Sequence, residues 1–393
     1  MQDKILFTSE SVSEGHPDKI CDQISDAILD EILKQDENAH VACECFITTN
    51  FLLIGGEISS HAKVDYEKIA RNVLREIGYT DNSWGIDANT CEIEIKINEQ
   101  SVDINQGVKL SNNEIGAGDQ GIIFGFATNE TYNYMPLPIS IAHDLVYTAS
   151  KLRKNNQFKW ARPDMKSQVT IDYTDAANPV IDTILMSIQH DPNFDEDEFM
   201  SFVKNDVMKK VAEKHKMNTD FKILLNPTGR FVIGGPQGDT GLTGRKIIVD
   251  TYGGTARHGG GAFSGKDATK VDRSAAYMAR YAAKNLVAAG YAEKIEMQLS
   301  YAIGIAKPIS IFVETFNSEL VNKNLIYLAI NNFFDFSVGG IINKLMLKKP
   351  VFFKTSKYGH FGKDQEFHWE KLNEFSKLVE FKEKHVNVTR SDS

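Results

Sequence analysis

The stretch Glu14-Gly15-His16-Pro17-Asp18-Lys19, followed by Ile20, Ile24, Ile28 and Ile32, starts the first regular helix of the chain. Isoleucines at a spacing of four fall on one face of a helix, and Pro17 suits its first position because proline has no backbone N–H. The pattern therefore predicts an amphipathic helix that begins at Pro17. Its first turn has unsatisfied N–H groups and about half a positive charge, so an anion is expected there.

Two side chains at this helix start have both a chemical and a structural interpretation. His16 can donate to a phosphate oxygen, and Asp18 can hold a divalent cation that bridges to the same phosphates. Alternatively, His16 is only a helix cap and Asp18 only stabilises the first turn. Both interpretations stay open on these residues alone.

Outward from this helix, strand and helix patterns alternate along the chain. Period-two alternation or apolar runs predict strands at 41–47, 51–58, 91–97, 122–128, 169–173, 180–189, 295–301 and 309–316. Periodic apolar residues predict further helices at 66–77, 139–151, 199–211 and 273–289, and 221–225, 230–233 and 246–251 are short apolar segments. The three stretches of similar size favour an α+β or α/β fold with helices on one face of each sheet.

Length and composition limit the class of protein. The 393 residues predict two or three domains at about 150 residues each. With 42% hydrophobic and 25% charged residues the chain is globular, and a net charge of -9 argues against a globally basic nucleic-acid-binding protein. We find neither a membrane-spanning apolar run nor a signal-peptide pattern, and we therefore expect a cytoplasmic protein.

The four cysteines, Cys21, Cys43, Cys45 and Cys91, all lie in the first quarter of the chain. They contain no C-x-x-C pair, so neither a disulfide framework nor a zinc site is indicated. We interpret them as small core residues.

A polar, aperiodic segment runs from Gln100 to Gly121 and contains four glycines. Long segments without a secondary-structure pattern inside a compact domain are commonly lids or binding loops. We predict a mobile binding loop.

Glycine is concentrated between Gly229 and Gly265, which holds twelve of the 28 glycines. Extended to Arg273, this segment has a balance of +3, while the rest of the chain carries -12. Glycine-rich backbone lets N–H groups approach an anion, and the interleaved lysines and arginines neutralise it, so a polyphosphate cradle is indicated. The alternative is a set of glycine turns with solvated charges.

Two nucleotide-binding fingerprints fail in context. Gly116–Gly121 fits G-x-G-x-x-G, but a strand follows it where the dinucleotide motif needs a helix. Gly260–Lys266 fits G-x-x-x-x-G-K, but Asp267 stands where the P-loop needs Ser or Thr. Lys266 can still bind a phosphate, although the P-loop motif is incomplete. Two functions therefore stay open as alternatives: a phosphate-transferring ATPase or kinase, and a non-catalytic nucleotide-binding regulatory protein.

Two acidic residues on predicted strands attract attention. Glu44 shares a face with Ala42 and Phe46, opposite Val41 and Cys43, so both faces are predicted to be buried and the charge to need a partner. A metal, a cation or an Arg or Lys pair would serve, and a simple strand-end carboxylate is the alternative. Glu57 follows Gly55-Gly56 and is either a site carboxylate or a turn residue.

Three long motifs together resemble one family: Glu10-Ser11-Val12-Ser13-Glu14-Gly15-His16-Pro17-Asp18-Lys19, Gly116 to Gly121, and Gly259 to Asp267. They are similar to the motifs of S-adenosylmethionine synthases (methionine adenosyltransferases), and the resemblance extends from Leu6 to about Phe361. It implies an enzyme that makes S-adenosylmethionine from ATP and L-methionine. In this reaction the sulfur attacks C5′ of ATP, and the released triphosphate is cleaved to pyrophosphate and phosphate.

The resemblance also implies site residues. Those matching catalytic positions are His16, Lys166, Arg245, Lys266 and Lys270. Those matching the ATP site are His16, Asp164, Lys166, Arg230, Phe231, Asp239, Arg245, Lys246, Ala262 and Lys266. Those matching the methionine site are Glu57, Gln100, Asp119, Asp239 and Lys270. The implied cofactors are two Mg²⁺ per site, with Asp18 and Asp272 as ligands and Glu10 as a helper, and one K⁺ per subunit on Glu44.

The family's architecture supplies further expectations. They are an α+β fold of three βαβ-containing domains with pseudo-threefold symmetry, at 1–102, 114–231 and 233–370, whose sheets pack at a dimer interface. A homodimer or homotetramer with active sites at that interface is also expected. No membrane and no nucleic acid are expected as partners. One departure is Val102, where the family commonly has proline in the loop from Gln100 to about Leu110, and this is expected to affect lid kinetics without removing a chemical group.

Overall fold

A computed structural model describes residues 4–99, 114–363 and 367–391 of the protein. Gln100, Val102 and the loop predicted up to about Leu110 lie outside these ranges. The strands are β1 (Leu6–Val12), β2 (His40–Thr48), β3 (Phe51–Ser59), β4 (Thr80–Asp81), β5 (Ile86–Asp87), β6 (Glu92–Asn98), β7 (Gly121–Thr128), β8 (Ala161–Asp172), β9 (Val180–His190), β10 (Lys222–Leu225), β11 (Gly241–Leu242), β12 (Lys294–Tyr301) and β13 (Ser310–Glu314).

Helices complete the described ranges. The α-helices are α1 (Pro17–Gln35), α2 (Tyr66–Ile77), α3 (Leu137–Lys154), α4 (Glu196–Phe202), α5 (Lys210–Lys214), α6 (Ile247–Asp250), α7 (Val271–Ala288), α8 (Lys323–Phe333), α9 (Val338–Lys344) and α10 (Phe375–Ser391). A π-helix at Val203–Lys209 joins α4 to α5, and short 3₁₀ turns lie at Asn82–Trp84, Gly235–Gln237, Phe353–Thr355 and His368–Glu370.

Three open sheets organise the molecule. The first sheet has the order β1-β8-β9-β10, the second β11-β2-β3-β6 and the third β13-β12-β7. Helix α3 packs on the first sheet, α1 with α2 on the second, and α7 on the third. The α+β class with helices on one face of each sheet is therefore confirmed.

The opposite faces of these sheets are left uncovered by the residues that the structure describes. On β2, Val41, Cys43 and Cys45 are buried toward α1, whereas Glu44 on the other face is exposed. The prediction that both faces of this strand are buried is wrong, because a flat apolar-rich face does not reveal whether the same chain supplies its cover. The third sheet likewise exposes Ile122 and Phe312 on its outer side.

Helix α1 begins as its sequence predicts. His16 is the N-cap, Pro17 the first helical residue, and the isoleucines from Ile20 to Ile32 are buried. A β-carbon on Gly15 would lie 2.3 Å from the carbonyl oxygen of Pro163, so only glycine allows β8 to pass this close. The backbone contact places the start of α1 beside the middle of the first sheet.

Buried ion pairs join α1 to the carboxyl-terminal part of the chain. The Lys19 ammonium lies 2.9 Å from Asp22 and 2.5 Å from Asp250. Arg273, at the start of α7, makes two hydrogen bonds to Asp26 at 2.7 and 2.9 Å, and both side chains are fully buried. These pairs fix α1 against the glycine-rich segment, which is what positions the candidate site.

Several local predictions meet a definite outcome. All four cysteines are buried and free, as core residues should be. The 199–211 helix contains the π-helical turn, and the 246–251 segment forms the short helix α6. The segment from Glu114 to Gln120 is followed by strand β7, which agrees with the failure of the dinucleotide fingerprint.

Within the described ranges, no single helix is long and apolar enough to cross a membrane. Of the helix pairs in the described part of the chain, α8 with α9 alone reaches that length and composition, and the two helices are bent by 77°. Several of their apolar residues, including Leu325, Ile330 and Ile341, are buried in the protein, while Leu328 is exposed.

Candidate active site

The N-cap of α1 fixes the orientation and the tautomer of His16. Its Nδ1 accepts a hydrogen bond from the backbone N–H of Asp18 at 3.2 Å, which leaves the ring proton on Nε2. Burial, together with the nearby charge of Lys246, lowers the pKa of His16 to about 3 despite the opposing charge of Asp18. At neutral pH the imidazole is therefore an uncharged hydrogen-bond donor.

Asp18 is the acidic centre of this helix start. Its Oδ2 lies 2.5 Å from the Lys246 ammonium, its Oδ1 accepts from the Leu242 N–H at 3.0 Å, and Arg245 approaches to 3.8 Å. Burial alone would raise the pKa of Asp18, but these hydrogen bonds and the charge of Lys246 lower it. The carboxylate is thus ionised and lies next to two cations, Lys246 and Arg245.

Asp164 on β8 adds a second acid to the group. Its Oδ2 accepts from the Gly235 N–H at 2.8 Å, while its buried Oδ1 has no hydrogen-bond partner. Burial raises the pKa of Asp164 to about 6. The positive charge of Lys166 opposes this rise, and the negative charge of Asp239 adds to it. A buried acceptor without a donor is costly, so this oxygen suits a ligand hydroxyl or N–H.

Phe231 lies on the chain segment beside this acid. Its backbone N–H donates to His190 Nε2 at 3.1 Å, and its carbonyl accepts from the His190 N–H at 2.9 Å. Its ring is half-buried against Gly234, where a β-carbon would come within 2.7 Å of Phe231 Cε2. Arg230 next to it is exposed. The segment therefore presents an aromatic ring beside Gly234, next to the Gly235 N–H that donates to Asp164, and an exposed cation one residue earlier.

A second group forms where the loop before β7 meets the start of α7. The Lys266 ammonium lies 2.9 Å from Asp272, and Asp272 packs against Gly121 and Gly261. Exposed Asp119 stands two residues before Gly121, and Ala262 packs beside Gly244, next to Arg245. Lys270 pairs with buried Asp267 rather than pointing freely to solvent.

Glu44 and Glu57 line a third part of the surface. They border a cavity of about 490 Å³ on the uncovered face of the second sheet, together with Ala42, Gly56 and Leu242. Leu242 also donates its N–H to Asp18, and Ala42 bridges to Lys266 in an antiparallel pair. The uncovered face of the second sheet therefore connects the residues around His16, which are Asp18 and Lys246, with the Lys266–Asp272 pair.

Among the residues that the structure describes, no three His, Cys, Asp or Glu side chains are arranged to hold a metal ion. Asp18 and Asp272 each offer one carboxylate, at present paired with a lysine. This donor set fits Mg²⁺, which usually takes one or two carboxylates and completes its shell with water and substrate phosphates. It does not fit an all-protein metal cage.

The remaining predicted residues have clear positions. Glu10 and Lys166 are exposed on neighbouring strands of the first sheet, Glu10 paired in register with Gln168 and Lys166 with Val12. Asp239 is exposed beside the Gly235–Gln237 turn, and Gln100 lies outside the described ranges.

Sequence reasoning missed several supporting groups. These are the backbone N–H groups of Leu242 and Gly235, and the carboxylates of Asp22, Asp26 and Asp250. The i,i+3 spacing of Lys19 and Asp22 was an available signal, but no local pattern marks a backbone N–H as the partner of a distant acid.

Three family models and three relatives match this chain along almost its whole length. The models of the S-adenosylmethionine synthetase N-terminal, central and C-terminal domains match residues 4–102, 114–231 and 233–371. The S-adenosylmethionine synthases of Mycoplasma capricolum subsp. capricolum and Mycoplasma mycoides subsp. mycoides are each 70% identical over 380 residues, covering 97% of this chain and 98% of the relative. That of Mesoplasma florum is 70% identical over 368 residues, covering 94% and 97%.

Proposed function

The chain belongs to the S-adenosylmethionine synthase family, and from this premise we propose which of its residues carry out the family's reaction. The enzyme makes S-adenosylmethionine from ATP and L-methionine. A lone pair of the thioether sulfur forms the bond to C5′, and the electrons of the C5′–O bond leave with the triphosphate. The domains at 1–102, 114–231 and 233–370 are part of the proposal.

The chemistry determines what the protein must supply. A thioether has no proton to lose, so the attack needs no general base. Catalysis then consists of positioning the sulfur and C5′ and stabilising the negative charge that develops on the triphosphate. The group around His16 is suited to this, because it combines a neutral hydrogen-bond donor with the cations of Lys246 and Arg245.

We assign the departing triphosphate to the His16 group. The Nε2–H of His16 donates to an oxygen next to the breaking bond. Three cations neutralise the phosphates: the Lys246 ammonium, once it is released from Asp18, and the side chains of Arg245 and exposed Lys166. Lys266 and Lys270 do the same from the second group. The single observation that carries the assignment is that His16, the buried N-cap of α1, lies beside Asp18 and its partner Lys246.

The adenosine and methionine sides are assigned by contact chemistry. The unpartnered Oδ1 of Asp164 accepts from the ribose, Phe231 stacks on adenine, and Arg230 and Ala262 border the nucleotide. Methionine is assigned to the acidic and amide groups, whose carboxylates pair with its amino group and the developing sulfonium. They are Glu57, Gln100, Asp119 and Asp239, with Lys270 nearby.

Metal dependence is general in this family, and the donor sets support specific ions. We propose that Asp18 and Asp272 each hold one of two Mg²⁺ ions, with Glu10 as a helper, and that Glu44 holds one K⁺. The bound Mg²⁺ would supply charge neutralisation on the triphosphate oxygens. On the protein side, binding requires that Lys246 and Lys266 leave the two aspartates and turn to the phosphates.

We propose a homodimer, or a tetramer of two such dimers, with active sites at the interface. The sheet faces that the described residues leave uncovered support this, since they expose the apolar side chains of Ile122 and Phe312. Exposed apolar patches rimmed by polar residues are typical of association surfaces. The expected location is cytoplasmic.

A product assay tests the function. The protein is incubated with ATP, Mg²⁺, K⁺ and labelled methionine, and the expected products are the labelled sulfonium, pyrophosphate and phosphate. ADP as the nucleotide product would instead support a phosphate-transferring enzyme. Nucleotide binding without any turnover would support a regulator.

Asp164→Asn is expected to weaken ATP binding and to change the pH dependence of stability. Because the pKa of Asp164 is raised to about 6, the wild type loses stability as pH rises from its unfolded pKa through 6. The amide does not titrate, so the variant should gain about 2 kcal/mol relative to wild type between pH 4 and pH 8.

Urea denaturation at several pH values measures this difference. Asp175→Asn is the control, since hydrogen bonds to Asn178 and Ala177 lower the pKa of this exposed carboxylate and the gain should be absent. A pH-independent difference between Asp164→Asn and wild type would refute the burial argument.

Glu44→Gln is expected to abolish activation by K⁺ while leaving the protein folded. A carboxylate on an exposed strand face can bind a monovalent cation, whereas the neutral amide loses the charge attraction. The rate of S-adenosylmethionine formation is measured over a series of KCl concentrations at constant ionic strength. Glu92→Gln, on the same sheet, should keep the wild-type response, and an unchanged response in Glu44→Gln would reject the assignment.

A further inference from the structure

His190 ends β9 and lies against the backbone of Phe231, the residue assigned above to stack on adenine. The side chain of His190 is fully buried, so it is not itself a contact of the nucleotide. Any part that it plays in the reaction must therefore act through a neighbour. Its contacts with Phe231 identify that neighbour.

Two main-chain groups fix the tautomer of the His190 ring. The Phe231 N–H can only donate, so Nε2, which lies 3.1 Å from that nitrogen, must accept. The Asp191 carbonyl can only accept, so Nδ1, which lies 2.8 Å from that oxygen, must carry the proton. The imidazole therefore presents its acceptor to Phe231.

A second hydrogen bond joins the same two residues. The backbone N–H of His190 donates to the Phe231 carbonyl at 2.9 Å, so one residue binds both polar groups of the Phe231 backbone. A side chain occupies only a few staggered rotamers on a given backbone. Fixing the backbone of Phe231 therefore limits the orientations that its ring can take.

The support itself is packed on its far side. The Phe194 ring lies against the His190 ring with centroids 3.9 Å apart, and the Phe199 ring lies 5.6 Å away. Next to His190, the Gln189 amide donates to the Val232 carbonyl at 3.0 Å. The end of β9 thus holds two successive residues of the adenine-side segment by hydrogen bonds.

The Phe231 ring has a fitted position on this support. A β-carbon on Gly234 would lie 2.7 Å from Phe231 Cε2 and 2.9 Å from Gln189 Cδ, so only glycine lets the ring and the amide pack here. The ring is half-buried, which leaves part of it open to a flat partner. Because stacking depends on the angle and offset of the two rings, the ring must be held in place to be useful.

We propose that His190 is a positioning residue for ATP, which holds the Phe231 backbone so that the ring is ready to stack on adenine. The inference rests on the proposed role of Phe231. Adenine is remote from the reacting atoms, so its stacking is equally strong in the bound substrate and in the transition state. Loss of the His190 acceptor therefore raises the KM for ATP and leaves kcat nearly unchanged.

Three substitutions at His190 separate the hydrogen bond from the packing. His190→Phe keeps a ring for Phe194 and Phe199 but has no acceptor. His190→Asn is too short to reach the Phe231 N–H, whereas the amide oxygen of His190→Gln can take the place of Nε2. The KM for ATP should rise about tenfold in His190→Phe and His190→Asn and stay within about twofold of wild type in His190→Gln.

Hydrolysis of added tripolyphosphate is the readout that a merely structural role would change. This substrate carries no adenine, so all three variants should hydrolyse it at the wild-type rate. A fall in this rate that matches the rise in KM would make His190 a structural residue and overturn the proposal. Equal KM values in His190→Asn and His190→Gln would overturn the hydrogen-bond argument, and this pair decides alone where the urea midpoint shows that His190→Phe is not folded.

Phe231→Leu separates this inference from the proposed function. The single variant should raise the KM for ATP, and adding His190→Phe should raise it little further, because the ring to be positioned is gone. An unchanged KM in Phe231→Leu would overturn the adenine assignment and the inference with it. A raised KM in Phe231→Leu with wild-type values in His190→Phe and His190→Asn would overturn the inference alone.

Discussion

His16→Asn is expected to slow S-adenosylmethionine formation by about 10²–10³-fold, the usual effect of removing one donor to a developing oxyanion. The affinity for ATP should change much less, because the charge on the leaving oxygen develops fully only in the transition state. Asparagine retains an N-cap oxygen for α1, so the helix start should persist. The variant thus removes the imidazole donor and little else.

Single-turnover rates and ATP binding, measured separately, decide this prediction. The urea midpoint of the variant serves as the control for folding and should match the wild type. If the rate and the ATP affinity fall by the same factor, His16 contributes to ground-state binding alone, and its assignment to the leaving triphosphate fails. Because the pKa of His16 is low, its imidazole stays neutral between pH 6 and 8, and its protonation should not limit the rate in this range.

Arg273→Met is expected to lower the free energy of unfolding by about 3–5 kcal/mol, because it leaves the carboxylate of Asp26 buried without its partner. Arg273 also donates to Thr355 Oγ1 at 3.0 Å and to the Lys266 carbonyl at 3.1 Å, so the loop carrying Lys266 should loosen as well. The change is measured by urea denaturation. Activity should fall along with stability.

The double variant Arg273→Met/Asp26→Leu provides the matched comparison. Removing both charges replaces the pair with apolar side chains, and it should recover a large part of the lost stability. Asp26 also accepts from the Gly265 N–H at 2.8 Å, so the recovery should be incomplete. A double variant no more stable than Arg273→Met would contradict the unpaired-charge explanation.

Local patterns predicted most regular elements correctly. The isoleucines after Lys19 and the periodic apolar residues over 66–77 act through contacts within a few residues, and the structure has helices at Pro17–Gln35 and Tyr66–Ile77. The 203–209 π-helix was not predicted, because a stripe of apolar residues does not distinguish i→i−4 from i→i−5 hydrogen bonding. Helix α6 depends on distant contacts, including that of Asp250 with Lys19.

The exposure of Glu44 marks the main error and has a physical cause. Alternating apolar residues show that a strand face suits burial, but they do not identify what covers it. Among residues 4–99, 114–363 and 367–391, none covers Glu44 on that face. Burial of Glu44 was the wrong expectation, and the exposed strand face on which it lies instead supports the proposed association surface.

The residue order alone determined the chemical inventory of this protein: a proline-started helix with His16 and Asp18, a cationic glycine-rich segment, and the motifs of one family. These features are readable because each depends on neighbours in sequence. Only the tertiary structure decided which charges meet, as with Lys246 on Asp18 and Arg273 on Asp26. It also showed that Asp164 Oδ1 and His143 Nε2 are buried without partners. Electrostatic energy and burial depend on distance in space, and residues more than two hundred positions apart set both.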